Sequence, residues 1–280
     1  MFGKSINWPN KANCAAMITV NLDAEYFWIS MFPDSASRPK TLSMGQYGIT
    51  RGLQRVLDVF DRFGLKATFF VPGRVAELYP AQVREIVNKG HEIGNHGYAH
   101  ENMAALSIDE QRKAIQKGND VLEKICQVRP VGFRAPEGEM TRDTMQLLAE
   151  LGFKYSSSLF NGDYPYHIKQ AGQETGLIEI PLHWDLNDFP YFAFNYHPPF
   201  PAGQGRPANY TQVLNIWQDE FEAYNQYGLC YVPQFDPQTI GTPGRIALLE
   251  DLLKYINTLS STWFCTGSEM AEFCRSSQIG

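Results

Sequence analysis

Residues 66–101 read KATFFVPGRVAELYPAQVREIVNKGHEIGNHGYAHE. Residues 67–71 are a short apolar, β-prone run closed by Pro72 and Gly73, the form of a buried strand. Residues 80–89 follow as a helix, with Pro80 at its start and Gly90 just past its end. A second short strand comes at residues 91–94. Strand, helix, strand in this order is one turn of a β–α rhythm that builds a parallel sheet or barrel. The stretch closes on His96 and His100, four residues apart. On a helical turn both imidazoles would face one way and could share a metal ion.

The same alternation extends in both directions. Residues 15–22 (AAMITVNL) predict a first strand. Ile49, Leu53, Val56, Leu57 and Phe60 fall at helical spacing, so residues 48–62 predict an amphipathic helix that Gly64 ends. Ser107 and Glu110 form a capping box that opens a helix to about Cys126. Strands are expected near 132–134, 155–158, 178–181 and 229–234, with helices over 142–151 and 245–259. A strand at 262–266 precedes a last helix capped by Thr266 and Glu269. Residues 27–45 and 188–209 are rich in proline, glycine and aromatics and lack periodicity, which predicts two long loops. No linker or repeat divides the chain, so residues 1–280 are expected to form a single catalytic domain.

Composition narrows the class. The chain has 280 residues, a net charge of −6 and 44% hydrophobic residues, which excludes disorder. Its acidity is spread out, and no Lys/Arg cluster offers a stripe for phosphates, so nucleic acid is not an expected partner. No apolar run approaches the ~20 residues needed to span a bilayer. The N-terminus lacks the apolar core of a secretory signal, which implies the cytoplasm. Cys14, Cys126, Cys230, Cys265 and Cys274 include no C-x-x-C pair and read as reduced, buried thiols.

Catalytic residues of β–α barrels gather where strands end. Asn21, Asp23 and Glu25 follow the first strand. Asn95, His96 and His100 follow 91–94, and Arg134 and Glu137 follow 132–134. His183, Trp184, Asp185 and Asp188 follow 178–181, and Asp236 follows 229–234. Two histidines with a carboxylate leave open positions on a metal for water and substrate. The same donor set also serves non-haem iron oxygenases, but those sit on a double-stranded β fold that the β–α alternation does not support.

Several of these segments together resemble a known family. They are NLDAE at 21–25, KATFFVPG at 66–73, GHEIGNHGYAHE at 90–101, FRAPEG at 133–138 and HWDLNDFPY at 183–191. The chain resembles the NodB-type polysaccharide deacetylases, carbohydrate esterase family four, over roughly residues 15–273. It is most similar to the intracellular branch with peptidoglycan-deacetylase-like enzymes, cyclic imide hydrolases and metal-independent allantoinases. The resemblance implies an α/β fold, a deformed (β/α) barrel. It also implies Asp23, His96 and His100 as ligands of Zn2+, or of Co2+ or Fe2+. The implied reaction is hydrolysis of a C–N bond in an N-acyl sugar, an oligosaccharide or a small cyclic imide or ureide.

Two positions depart from the family pattern. Asn21 stands where the family has a basic aspartate, and an amide cannot usefully accept a proton. Asp236 stands where the family has an acidic histidine. Either Asp236 is a relocated base, or Glu137 or Asp185 handles the proton, or the chain is a catalytically weak metal- or ligand-binding homologue. Arg134 and Asp188 match motif residues that pair near the family's site. Trp184 either walls a substrate pocket, beside Asp185, or packs in the core. His183 and His197 read as loop or packing residues. The aromatic run 189–200 is expected to cap the pocket, cover the barrel edge or meet a second subunit in a homo-oligomer.

Overall fold

The structure, a computed structural model, describes residues 6–203, 207–259 and 261–277. Its strands are β1 (Cys14–Ala16), β2 (Thr19–Asn21), β3 (Thr68–Val71), β4 (Glu92–Asn95), β5 (Gly132–Phe133), β6 (Tyr155–Ser156), β7 (Tyr166–Gln170), β8 (Gln173–Glu179), β9 (Cys230–Tyr231), β10 (Gln234–Phe235) and β11 (Thr262–Phe264). The chain falls into two units. One is Met1–Lys66 with His183–Cys265; the other is Ala67–Leu182 with Thr266–Gly280.

In the first unit β1 lies between β11 and β9, parallel to both, while β2 pairs in parallel with β10. The single strand expected at 15–22 is therefore two strands in different sheets. From Cys14 to Val20 no side chain is more than 1% exposed. A run buried on both faces looks uniformly apolar, so the change of sheet leaves no mark in the sequence. The strand expected at 229–234 divides the same way, into β9 and β10 on either side of Val232-Pro233.

The stretch 27–45, expected as a loop, is helical. It forms α1 (Tyr26–Met31), a 3-10 turn at Pro33–Ser37 and α2 (Pro39–Tyr47). A π-helical turn at Gly48–Gly52 carries α2 directly into α3 (Leu53–Phe63). Where α2 ends, the missing periodicity has a physical cause. Gly45, Gly48 and Gly52 share one helix face, and that face packs on backbone rather than on side chains. A Cβ added at these positions would lie 2.3 Å from the Ala24 carbonyl oxygen, 2.8 Å from the Gln238 nitrogen and 2.0 Å from the Pro237 carbonyl oxygen. The helix thereby holds the backbone just after Asp23 and just after Asp236.

Gly52→Ala is accordingly expected to cost about 3 kcal/mol or more, because neither backbone can yield without moving a helix. Gly64→Ala is the control. Gly64 has φ +59° with nothing within 4 Å of the added carbon, so it should cost only the ~1–2 kcal/mol of left-handed strain. Equal losses for the two in urea unfolding would show that close approach is not what Gly52 supplies.

The 18-residue helix Tyr210–Tyr227 arises where no element was expected; Val213, Trp217, Phe221 and Tyr224 form its buried face. Asn209 caps its start through Gln212 N–H at 3.2 Å, and Gly228 closes it in the left-handed conformation. Within 188–209, Asp188–Phe192 is a short helix, and 204–206 lie outside the described residues.

In the second unit β3, β4, β5, β6 and β8 run parallel in that order. β7 pairs antiparallel to β8, so the strand expected near 178–181 is one arm of a hairpin. The predicted capping box is formed. Ser107 N–H donates to Glu110 Oε2 at 2.9 Å and Glu110 N–H to Ser107 Oγ at 3.4 Å, opening the helix Ile108–Cys126. Ile115 of that helix packs with Met103, Phe133, Leu147, Leu148 and Phe153 in the unit's core. No helix among the described residues is long and apolar enough to cross a membrane.

Candidate metal centre

β4 delivers the two histidines. At its end Asn95 is buried, and its Nδ2 donates to Ile115 O at 2.9 Å and to Asn119 Oδ1 at 2.7 Å, while its Oδ1 accepts from Gly97 N–H at 2.8 Å. The chain then turns rather than entering a helix, with Gly97 at φ +72° and His100 at φ +61°. Gly73 and Arg74 N–H groups bond the carbonyls of Gly97 and Tyr98 at 3.1 and 2.6 Å. Tyr98 N–H donates to Glu101 Oε2 at 2.9 Å. This turn brings the two imidazoles to 5.1 Å between ring centroids, at 78°. The expectation of a helical turn is thus corrected: the rings converge because a left-handed residue reverses the chain, not because of a 3.6-residue repeat. His96 Nδ1 lies 2.7 Å from the Arg134 carbonyl oxygen. A carbonyl can only accept, so Nδ1 carries the proton and Nε2 keeps its lone pair. Metal-ligating histidines are commonly held this way.

Arg134 itself is 2% exposed; its Nε donates to Ser157 O and its Nη2 to Ser157 Oγ, both at 2.9 Å, and it lies over the Phe70 ring at 4.1 Å. Glu179 takes the Ser158 and Leu159 N–H groups at 2.6 and 2.8 Å, and burial pushes its carboxyl up to about 7. Glu137 sits in a turn at φ +60° and accepts from Asn102 Nδ2 at 3.0 Å.

In the first unit β2 ends at Asn21, two residues before Asp23, which is 4% exposed. Asp236 follows β10 and is also 4% exposed. Its Oδ1 accepts from Gln238 N–H at 2.8 Å and its Oδ2 from Gln238 Nε2 at 2.9 Å. Two N–H donors suit an ionised carboxylate. Burial, and then the Asp23 and Asp188 carboxylates beside it, push its carboxyl well above the ordinary range. Opposed influences of this kind leave a group ready to exchange a proton. Asp188 accepts from Asp236 N–H at 3.0 Å and from the Thr239 hydroxyl, and burial raises it to about 7. The Arg245 guanidinium acts against that rise.

Trp184 is 62% exposed, which removes the core-packing reading. Asp185 is exposed on the same 3-10 turn; its Oδ1 accepts from Tyr191 OH at 3.4 Å. Gln238 and Thr239 were not singled out from the sequence. Their signal was present: Asp236-Pro-Gln-Thr is the pattern of a turn in which the aspartate bonds the backbone two residues on.

Asp23, His96 and His100 are all buried and form a group that could hold a metal ion, each offering one ligand atom, with these atoms all within 4.8 Å of one another. Two imidazoles and one carboxylate match the donor set of catalytic zinc sites and suit a borderline divalent ion.

A donor set of this kind on an α/β chain is one that hydrolases built on β–α folds use, and comparison with known proteins makes the class specific. The sequence profile described as polysaccharide deacetylase matches residues 43–156. A crystal structure from Mycobacterium smegmatis, provisionally described as a polysaccharide deacetylase, is 34% identical; the match covers 100% of this chain and 96% of that one, with a TM-score of 0.93. The peptidoglycan deacetylase of Helicobacter pylori is 28% identical across 90% of this chain and 93% of its own length. An allantoinase, PuuE, shares the fold at a TM-score of 0.83 and 21% identity, covering 98% of this chain and 94% of that one. This chain belongs to the polysaccharide deacetylase family. Its fold is the deformed (β/α) barrel of that family, and its reaction class is hydrolysis of carbon–nitrogen bonds other than peptide bonds.

Proposed function

We propose that the protein is a metal-dependent deacetylase that removes the acetyl group from N-acetylated sugars of a glycan, with Asp23, His96 and His100 as the ligands. The observation that carries this reading is the buried His-His-carboxylate group. When bound, a divalent ion, Zn2+ first among the candidates, supplies Lewis-acid polarisation of the scissile carbonyl and a water acidified toward neutral pH. Asp236 takes the proton released as water attacks the acetyl carbon, then returns it to the sugar nitrogen as the C–N bond breaks. Acetate and a free amine result. Arg134, fixed on Ser157, orients His96 through its own carbonyl. Asp188 fixes the Asp236 backbone, and Asn21 contributes polar orientation without proton chemistry. Trp184 and Asp185, both exposed, offer an aromatic face and an acceptor to a sugar ring. Residues 1–280 act in this reading as one catalytic domain. A reducing compartment such as the cytoplasm suits its five buried, free cysteines.

A second substrate class, cyclic imides and ureides, is favoured by one observation: an aspartate replaces the family's acidic histidine. A nitrogen that leaves as a stabilised anion needs little protonation, so the proton a histidinium would supply is not required. Acetate release from N-acetylglucosamine oligomers, measured beside ring opening of succinimide and allantoin, tests both. Turnover of the oligomers alone is the expected result. Turnover of the imide or ureide alone would replace the first reading with the second, and turnover of neither would make the chain a binding homologue.

A further inference from the structure

Gln238 has no part in the chemistry above, yet both polar atoms of its side chain are engaged. Its Nε2 donates to Asp236 Oδ2 at 2.9 Å, and its Oε1 accepts from the Trp28 indole Nε1 at 2.8 Å. A glutamine amide can present either its NH2 or its oxygen to a neighbour, by a half turn about its last bond. An indole N–H can only donate. The Trp28 side of the amide must therefore be the oxygen, and the NH2 must face Asp236.

Trp28 is fully buried. Its ring meets Phe27 at 5.1 Å, Phe200 at 5.6 Å and Phe32 at 6.4 Å, so the indole N–H has a fixed direction. The other side of Gln238 is closed by Gly48, where an added Cβ would come within 2.8 Å of the Gln238 Cβ. If the amide turned over, its oxygen would face a carboxylate oxygen, two acceptors with no hydrogen between them.

We propose that Gln238 and Trp28 are positioning residues for Asp236. The indole sets the polarity of the Gln238 amide, and the amide holds the Asp236 carboxylate in the orientation in which both oxygens are bonded. This inference rests on the reading of Asp236 as the proton-transfer group. It also gives the aromatic run 189–200 a role, because Phe200 is part of the wall that aims the indole.

The test is a double-mutant cycle on the metal-loaded protein with N-acetylglucosamine oligomers. Trp28→Phe keeps an aromatic ring but removes the N–H together with part of the indole, so its stability is measured alongside. It should lower kcat about 5- to 20-fold, the loss expected when one fixed hydrogen bond that aims another goes, and leave KM within about twofold. Gln238→Leu should lower kcat at least as much, and the double variant should be no slower than Gln238→Leu alone. Additive losses, or losses carried by KM, would overturn the proposal and leave Trp28 a packing residue. A second readout needs no substrate. By NMR the Trp28 indole N–H and the Gln238 side-chain NH2 should be protected from exchange. The first should lose protection in Gln238→Leu and the second in Trp28→Phe. Fast exchange of both in the unaltered protein would overturn the proposal independently of any assay. Protection without turnover of the oligomers would count against the deacetylase reading while upholding the positioning contacts.

Discussion

His96→Ala will purify without its divalent ion, and its kcat will fall on the order of 10³-fold or more, because acidification of water and polarisation of the carbonyl both depend on a filled site. His96 was chosen over His100 for a structural reason. Its Nδ1 proton is committed to the Arg134 carbonyl at 2.7 Å, so Nε2 is the ring nitrogen that carries a lone pair and the substitution removes one defined ligand. His100 sits at φ +61°, and changing it would also alter backbone strain. The check is elemental mass spectrometry on untagged protein beside the unaltered chain, followed by the acetate-release assay. About one ion per chain, lost in the variant, is the expected result. An unaltered protein that holds no metal after reconstitution with Zn2+, Co2+ or Fe2+ would end the metal-dependent reading.

Asp236→Asn will keep the metal and lose roughly 10²- to 10⁴-fold in kcat, the range for removal of one positioned acid–base group. Both Asp236 oxygens accept hydrogen bonds, one from Gln238 N–H and one from Gln238 Nε2. An asparagine has one oxygen, so in either orientation its NH2 opposes a donor and one bond is lost. Stability measured in parallel separates this local effect from the chemical one. Metal content unchanged with kcat down a hundredfold assigns proton transfer to Asp236. Activity within about threefold of the unaltered enzyme would shift that role to Glu137 or Asp185, the other carboxylates near strand ends.

The β–α rhythm, the capping box at Ser107 and the pairing of His96 with His100 could all be read from residues 66–126, because each is a local device whose partners lie within a few positions; the left-handed turn that joins the two histidines could not. The family followed from short motifs placed in a fixed order. What stayed hidden depends on partners far along the chain. The fully buried run from Cys14 to Val20 gave no sign that β1 and β2 serve different sheets, since burial on both faces erases alternation. The helical character of α2 was masked because its buried positions are Thr41 and Gly45 rather than a leucine stripe, and α1, six residues long, is too short to show a period. Helix Tyr210–Tyr227 carries a stripe at helical spacing, Val213, Trp217, Phe221 and Tyr224, that is legible in the sequence. In the candidate site the ligand residue types were legible from spacing and resemblance. The hold of Gln238 on Asp236 is a matter of side-chain direction, which a turn motif only hints at.

The pairing of Cys14 with Thr262 in β1 and β11 has a consequence for how the protein is made. These residues are 248 positions apart, so at ~5–20 residues per second the ribosome needs about 12 to 50 seconds between the two. Throughout that time β1 lacks the neighbour that covers it on one side. Its other partner, β9, arrives only shortly before. The nascent chain thus carries an apolar strand with bare edges until β9 and β11 have been made, and the first unit can close only then. Long-range pairing of this kind slows folding and exposes sticky intermediates. Expression yield should therefore respond to chaperone supply and growth temperature more than the finished protein's resistance to heat would suggest.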